Sequence, residues 1–126
     1  MKKLSELVIV SIDDDEYSNS LLTEALSFDV AKVVTIDNPL SAIKTLSTID
    51  FDIVCLDIQM PKINGLVLSQ NILKLYPDKI VIIISANNEE EMLEQLEKIN
   101  ITYYFQKPLN VELFLSTLET IASNLF

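Results

Sequence analysis

Asp57 stands at the end of the apolar run Ile53-Val54-Cys55-Leu56, and an acid leaving a buried strand needs a partner or exposure at the sheet rim. Upstream, Asp13-Asp14-Asp15-Glu16 puts four carboxylates in a row, again just after an apolar run. Alone, that acidic run reads as a solvated loop whose acids cap the next helix and favour its positive end. The two features gain meaning together. If the first and third strands are neighbours, about 4.8 Å apart, Asp57 and the Asp13-Asp14 pair converge on one pocket. Three carboxylates that close repel one another and require a cation; hard oxygen ligands suit Mg²⁺, which keeps waters and accepts a phosphoryl oxygen. Ser85-Ala86 and Gln106-Lys107-Pro108 add a hydroxyl and an ammonium after two further apolar runs. Singly, Ser85 reads as a turn or helix-start residue and Lys107 as a surface lysine. As a set, these residues match a phosphoryl-transfer site: a carboxylate nucleophile, a metal on the transferred oxygens, and fixed positive and hydrogen-bonding groups for the rest.

Such residues must be held by regular elements. Short apolar runs alternate with longer amphipathic segments, predicting strands over Leu7–Ile12, Lys32–Ile36, Phe51–Leu56, Lys79–Ile84 and Ile101–Phe105. The near-continuous apolar run Ile80–Ile84 implies a strand buried on both faces, as in a parallel sheet. Helical spacing links Leu21, Leu22, Ala25 and Phe28, then Leu40, Ile43 and Leu46, then Leu66, Leu73 and Tyr76 more loosely. A fourth helix starts near Asn88, with Glu89, Glu90, Glu91, Glu94 and Glu97 on one side and Met92, Leu93, Leu96 and Ile99 on the other. In the last helix, Val111, Phe114, Leu115, Leu118, Ile121, Ala122 and Leu125 form one stripe that runs to the end of the chain. Five strand–helix units with right-handed crossovers place helices on both sheet faces and ligand sites at the carboxyl ends of the strands.

Bulk properties narrow the function. The 126 residues and 49% hydrophobic content suit one domain spanning residues 1–126. A net charge of -10 repels phosphate backbones and anionic membranes, so neither direct nucleic-acid binding nor membrane association is expected. Met1-Lys2-Lys3 is followed by Leu4-Ser5-Glu6, with no sustained apolar stretch or cleavage pattern; no leader is expected. The single cysteine, Cys55, cannot close an internal disulfide and reads as a packing residue, consistent with a cytoplasmic location. The absence of histidine removes His-based metal sites and Ser-His or Cys-His catalysis.

The four motifs together resemble the receiver domains of bacterial two-component response regulators, of the chemotaxis-receiver kind. Asp13-Asp14 is similar to the family's acid pair, and Asp57, within Leu-Asp-Ile-Gln-Met-Pro-Lys-Ile-Asn-Gly, to its phosphoacceptor. Ser85-Ala86 resembles its Ser/Thr-Ala motif and Lys107-Pro108 its Lys-Pro, in order across essentially the whole chain. The resemblance implies a flavodoxin-like α/β fold, (βα)5, doubly wound on a five-stranded parallel sheet of order 2-1-3-4-5. It implies transfer from a histidine kinase's phosphohistidine, or a phosphotransfer protein, to Asp57 with Mg²⁺. Asp14, Asp13, Asp57 and the Gln59 backbone carbonyl would be the metal contacts. Lys107 and Ser85 would hold phosphoryl oxygens, and Tyr104 would be a switch aromatic, although an aromatic on a half-covered strand also explains it. Gln59 and Asn87 would tune water attack on the phosphoaspartate. The output partner is not named, and phosphorylation-dependent dimerisation is left open. The Lys107-Pro108 bond is expected to be cis, and Gly65 is free to take positive φ. One departure is Asn100-Ile101, where the family often shows Gly-Ala, which puts the usual turn in question.

Three rivals share features. A flavodoxin-like cofactor binder would need a Ser/Thr/Gly-rich loop where four acids stand. A haloacid-dehalogenase-type phosphatase carries a second acid two residues after its nucleophile, where this chain has Gln59. A receiver-like module that is never phosphorylated would not need the full set of acids, hydroxyl and lysine.

Overall fold

The computed structural model describes residues 2–86 and 90–126, so Met1, Asn87, Asn88, Glu89 and the side chain of Leu125 lie outside the described residues. Among the described residues the main sheet has five strands, β1 (Val8–Ile12), β2 (Lys32–Ile36), β3 (Ile53–Leu56), β4 (Ile80–Ser85) and β5 (Tyr103–Gln106), connected through five α-helices, and a two-residue antiparallel ribbon, Gln59–Met60 with Ile63–Asn64, follows β3. The helices are α1 (Glu16–Leu26), α2 (Ala42–Leu46), α3 (Gly65–Leu75), α4 (Glu90–Lys98) and α5 (Val111–Leu125). The strands pair in parallel in the order β2-β1-β3-β4-β5. That is the expected 2-1-3-4-5 order, and it makes β1 and β3 neighbours.

Each central strand buries both faces because alternate side chains enter different cores. Val10, Ile12, Val54, Leu56, Val81 and Ile83 pack with Leu46, Leu68, Ile72 and Leu96 from α2, α3 and α4. Ile9, Ile53, Cys55, Ile82 and Ile84 pack with Leu22, Leu26, Phe114, Leu118 and Ile121 from α1 and α5. Some stripe assignments shift accordingly. Leu21 and Phe28 are exposed and the α1 contact is made by Leu22 and Leu26. Likewise α3 buries Leu68 and Ile72, while Leu66, Leu73 and Tyr76 only flank the core. Leu40 is exposed on a single 3-10 turn, Pro39–Ser41, that precedes a short α2. In α5, Val111 is exposed whereas Phe114, Leu118, Ile121 and Ala122 are buried.

Loop chemistry explains the boundaries. Asp15, Asn64 and Asn110 each accept backbone N–H bonds as the N-caps of α1, α3 and α5. Of the four-acid run, Asp15 therefore has the capping role. The Asn100-Ile101 departure resolves as a left-handed cap: Asn100 has φ 61, its N–H reaches Glu97 O at 3.1 Å, and Ile101 N–H reaches Leu96 O at 3.0 Å. That is the Schellman pattern, which Asn tolerates in place of Gly. Gly65 does not adopt positive φ. It is required for space, since a Cβ there would lie 2.5 Å from Ile58 Cα and 2.8 Å from Ile58 O. The Lys107-Pro108 bond is cis, as expected.

Two measurements check this packing. Gly65→Ala must push the backbone after Asp57 aside, so urea unfolding should show a loss of about 1–3 kcal/mol; an unchanged midpoint would contradict the close approach. Burial pushes the Cys55 thiol up to about 12, so a thiol reagent at pH 8 should react with the denatured chain and not with the native one.

Candidate phosphoacceptor site

The acids meet because β1 and β3 are in register, with Ile12 opposite Leu56. The next residue of each strand is Asp13 or Asp57, and both backbones remain tied to the sheet edge. Asp57 N–H donates to Ile12 O at 3.2 Å, and Asp13 N–H to Ile36 O at 3.1 Å. Their side chains are nearly enclosed, with Asp13 at 8% and Asp57 at 12% exposure, so two anions stand where water screens them poorly.

Lys107 answers that charge from the far side of the sheet. Its Nζ lies 3.0 Å from Asp13 Oδ2 and 3.2 Å from Asp57 Oδ2, with Ser18 Oγ at 3.4 Å. The reach is set by β5, since Lys107 N–H donates to Ser85 O at 2.9 Å and so extends the β4–β5 ladder by one residue. Burial alone would lower the lysine's pKa, but the hydrogen bond to Asp13 and the charge of Asp57 outweigh it and hold the ammonium above its ordinary value. The remaining carboxylate oxygens accept backbone donors: Asp57 Oδ1 from Gln59 N–H at 3.0 Å, and Asp13 Oδ1 from Asp15 N–H at 2.9 Å.

A buried amide locks the acidic loop. Asn19 Nδ2 donates to Asp13 O at 2.8 Å and sits 3.5 Å from Ile36 O, while its Oδ1 accepts from Ser11 Oγ at 2.7 Å. Sequence reasoning passed over this residue. Its signal was a polar amide four positions after Asp15 and beside the apolar Leu22–Leu26 stripe, at a helical position that faces the sheet.

Asp14 is exposed on the same loop. Partial desolvation and the charge of Asp13, with a smaller push from Asp57, hold its carboxyl above the usual carboxylate range. Ser85 is fully buried at the end of β4, and Gln59 is exposed beyond Asp57. Tyr104 is half-buried, and its hydroxyl is buried without a hydrogen-bond partner among the described residues. Burial and then the charge of Asp57 raise its pKa. Asn87 lies outside the described residues. The structure thus brings together Asp13, Asp57 and Lys107 directly, with Asp14, Ser85 and Tyr104 around them.

A divalent cation fits this donor set. Among the described residues no three acidic or thiol side chains are arranged to hold a metal on their own. Yet the unfavourable ionisation of Asp14 beside two further carboxylates is the kind of repulsion that a hard cation relieves.

A family model for the response regulator receiver domain matches residues 9–119. The chain belongs to the response regulator receiver family. This receiver is 34% identical over 104 residues to the transcriptional regulatory protein KdpE of Staphylococcus aureus, covering 82% of this chain and 45% of that protein. It is 22% identical over 120 residues to DegU of Brevibacillus brevis, covering 94% and 51%. The chain therefore spans about half the length of these curated relatives. A two-component response regulator of Clostridium difficile superposes with TM-score 0.88 at 20% identity, covering 94% of this chain and 98% of that one. Receivers are phosphorylation-controlled switches of two-component signalling, and this chain is one.

The raised pKa of Asp14 carries a sign that can be measured. An acid held above its ordinary value costs stability as it ionises, so the penalty appears as pH rises through the carboxylate range. Asp14→Asn should raise the thermal midpoint in EDTA at pH 7, the gain should vanish as pH falls past that range, and Mg²⁺ should stabilise wild type more than the variant. A lower midpoint in EDTA at pH 7 would contradict the repulsion.

Proposed function

We propose that Asp57 accepts the phosphoryl group of a histidine kinase's phosphohistidine, or of a phosphotransfer protein, and that the change alters a partner-binding surface. The observation that carries this is the Lys107 ammonium bridging Asp13 and Asp57 at 3.0 and 3.2 Å. It leaves a positioned nucleophile beside a fixed cation at the carboxyl edge of a parallel sheet. Asp57 Oδ attacks phosphorus in line, the P–N bond breaks, and the leaving imidazole keeps the electron pair. Lys107 then exchanges its bond to the Asp57 carboxylate for one to a phosphoryl oxygen, which keeps its charge paired.

Mg²⁺ would be held by Asp14, Asp13, Asp57 and the Gln59 backbone carbonyl, and when bound it neutralises charge on the transferred oxygens. Ser85 would hydrogen-bond another phosphoryl oxygen. That requires the end of β4 to shift, because its side chain is buried. Tyr104, whose buried hydroxyl has no partner among the described residues, supports a role as the aromatic that follows that shift. Gln59 stands exposed next to the acceptor, where its amide would influence water attack; Asn87 is assigned the same role by motif position alone. The domain would catalyse its own phosphorylation and dephosphorylation, with no turnover of a separate substrate.

Incubation with acetyl phosphate and Mg²⁺, followed by intact mass, tests the assignment. Wild type should gain one phosphoryl group; Asp57→Asn and EDTA-treated protein should gain none, and Lys107→Ala should gain it more slowly and lose the beryllofluoride-induced amide shifts of β4 and β5. Steady release of phosphate from small esters would instead identify a phosphatase, and no adduct under any condition an unphosphorylated module.

A further inference from the structure

Ser11 and Asn19 are sealed inside the protein, at 4% and 3% exposure, although both are polar. A buried amide and hydroxyl are tolerated where their donors and acceptors are met, and here they are met in one direction only. Ser11 Oγ donates to Asn19 Oδ1 at 2.7 Å, while Asn19 Nδ2 donates to Asp13 O at 2.8 Å and lies 3.5 Å from Ile36 O. The opposite amide orientation would set Oδ1 against two carbonyl oxygens, so the hydroxyl on β1 and the carbonyls at the ends of β1 and β2 select the same arrangement. The first turns of α1 hold the residue in place: Asn19 N–H donates to Asp15 O at 3.2 Å, and Asn19 O accepts from Thr23 Oγ1 at 2.9 Å.

The carbonyl that Asn19 bonds belongs to the peptide joining Asp13 to Asp14. Asp13 is thereby held at four points: its N–H by Ile36 O at 3.1 Å, its carbonyl by Asn19, Oδ1 by Asp15 N–H and Oδ2 by Lys107. Two of these contacts come from the acidic loop itself and from the lysine that answers the charge at Asp57. The Asn19 contact comes from the helix layer and is anchored behind by Ser11. Asp14 is exposed and follows directly, so the plane of that peptide sets where its carboxylate starts.

We infer that Ser11 and Asn19 are positioning residues for the divalent cation: they hold the Asp13–Asp14 peptide in the arrangement from which the acid pair serves the metal, and so set the affinity for Mg²⁺. The inference rests on the phosphoacceptor reading of Asp57 and its neighbours. Groups bonded behind a metal's ligands govern its affinity by about 10–100-fold. The physical reason is that a loop already held in its binding geometry loses less freedom when the cation arrives. Ser11 acts through Asn19, by fixing the direction of the amide.

The test is Mg²⁺ titration of the full chain, followed by amide NMR. Asn19→Leu, which removes the donor and keeps an apolar side chain of similar length, should weaken Mg²⁺ by about tenfold or more. Ser11→Ala should weaken it less, and the double variant should be no weaker than Asn19→Leu alone, because the two residues act as one unit. Ile72→Val, a core change on the opposite sheet face, should keep wild-type affinity. In EDTA, Asn19→Leu should speed amide exchange at Asp15, whose N–H bonds Asp13 Oδ1, and leave Asp57 N–H, bonded to Ile12 O, protected. With acetyl phosphate, the Mg²⁺ needed for half-maximal phosphorylation should rise in Asn19→Leu while the rate at saturating Mg²⁺ stays near that of wild type. Unchanged Mg²⁺ affinity, unchanged exchange at Asp15, additive losses in the double variant, or a lower limiting rate with an unchanged Mg²⁺ requirement would each overturn this inference alone. Absence of any Mg²⁺ response in wild type would overturn the reading of the site, and the inference with it. Should Asn19→Leu fail to fold, wild-type Mg²⁺ affinity in Ser11→Ala overturns the inference and a weakened one sustains it.

Discussion

One ammonium holds the centre of this molecule in a usable state. Asp13 and Asp57 are brought side by side by the register of β1 and β3, and burial leaves water little chance to screen them. Without Lys107 two enclosed anions would face each other unpaired, an arrangement that strongly favours protonation or local opening. The lysine is fixed by its backbone bond to Ser85 O, so the charge balance depends on where β4 and β5 end. Anything that alters charge at Asp57 is therefore felt by Lys107 and by the strand ends that carry it.

The surrounding parts are consistent with that coupling. Asn19 and Ser11 tie the acidic loop to α1 and β2 through a buried, fully bonded amide, which keeps one side of the site stiff. On the other side, Ser85 is sealed in the core end of β4 and Tyr104 buries a hydroxyl that finds no partner among the described residues. Among the described residues that hydroxyl meets no partner, and a rearrangement that gives it one or exposes it to water is favoured to that extent. Rigidity near α1 and stored penalty near β5 are what a two-state element needs if phosphorylation is to bias it.

Space is distributed as unevenly as stiffness. Gly65 lets the chain after Asp57 pass against α3 with no room for a methyl group, and the α2–α4 side is filled by large aliphatic side chains. The α1–α5 side ends in Ser11, Cys55 and Ala25 near the acids, and there the packing opens into a cavity. The two faces of one sheet thus differ at the level where the chemistry occurs.

The sequence by itself determined the α/β class and the order of five strand–helix units, and it marked Asp13, Asp14, Asp57, Ser85 and Lys107 as candidates, because those follow from apolar runs that end in polar residues. The acidic run also announced the cap of α1, made by Asp15, whereas the caps at Asn64 and Asn110 went unread although they too are hydrogen bonds within a few residues. The sequence misled at Leu21, which α1 turns outward, at Phe28 and Leu40, which lie beyond the end of α1 and on the 3-10 turn before α2, and at Gly65, where a contact with Ile58 rather than a backbone angle demands glycine. Asn100 looked like a departure and proved an equivalent cap, since Asn adopts the left-handed conformation. Only tertiary structure decided that Lys107 spans both acids, that Asn19 braces their loop, and that Ser11, Cys55 and Ala25 coincide at one cavity. Those facts depend on distances between residues far apart in the chain, and strand register, not local pattern, sets them.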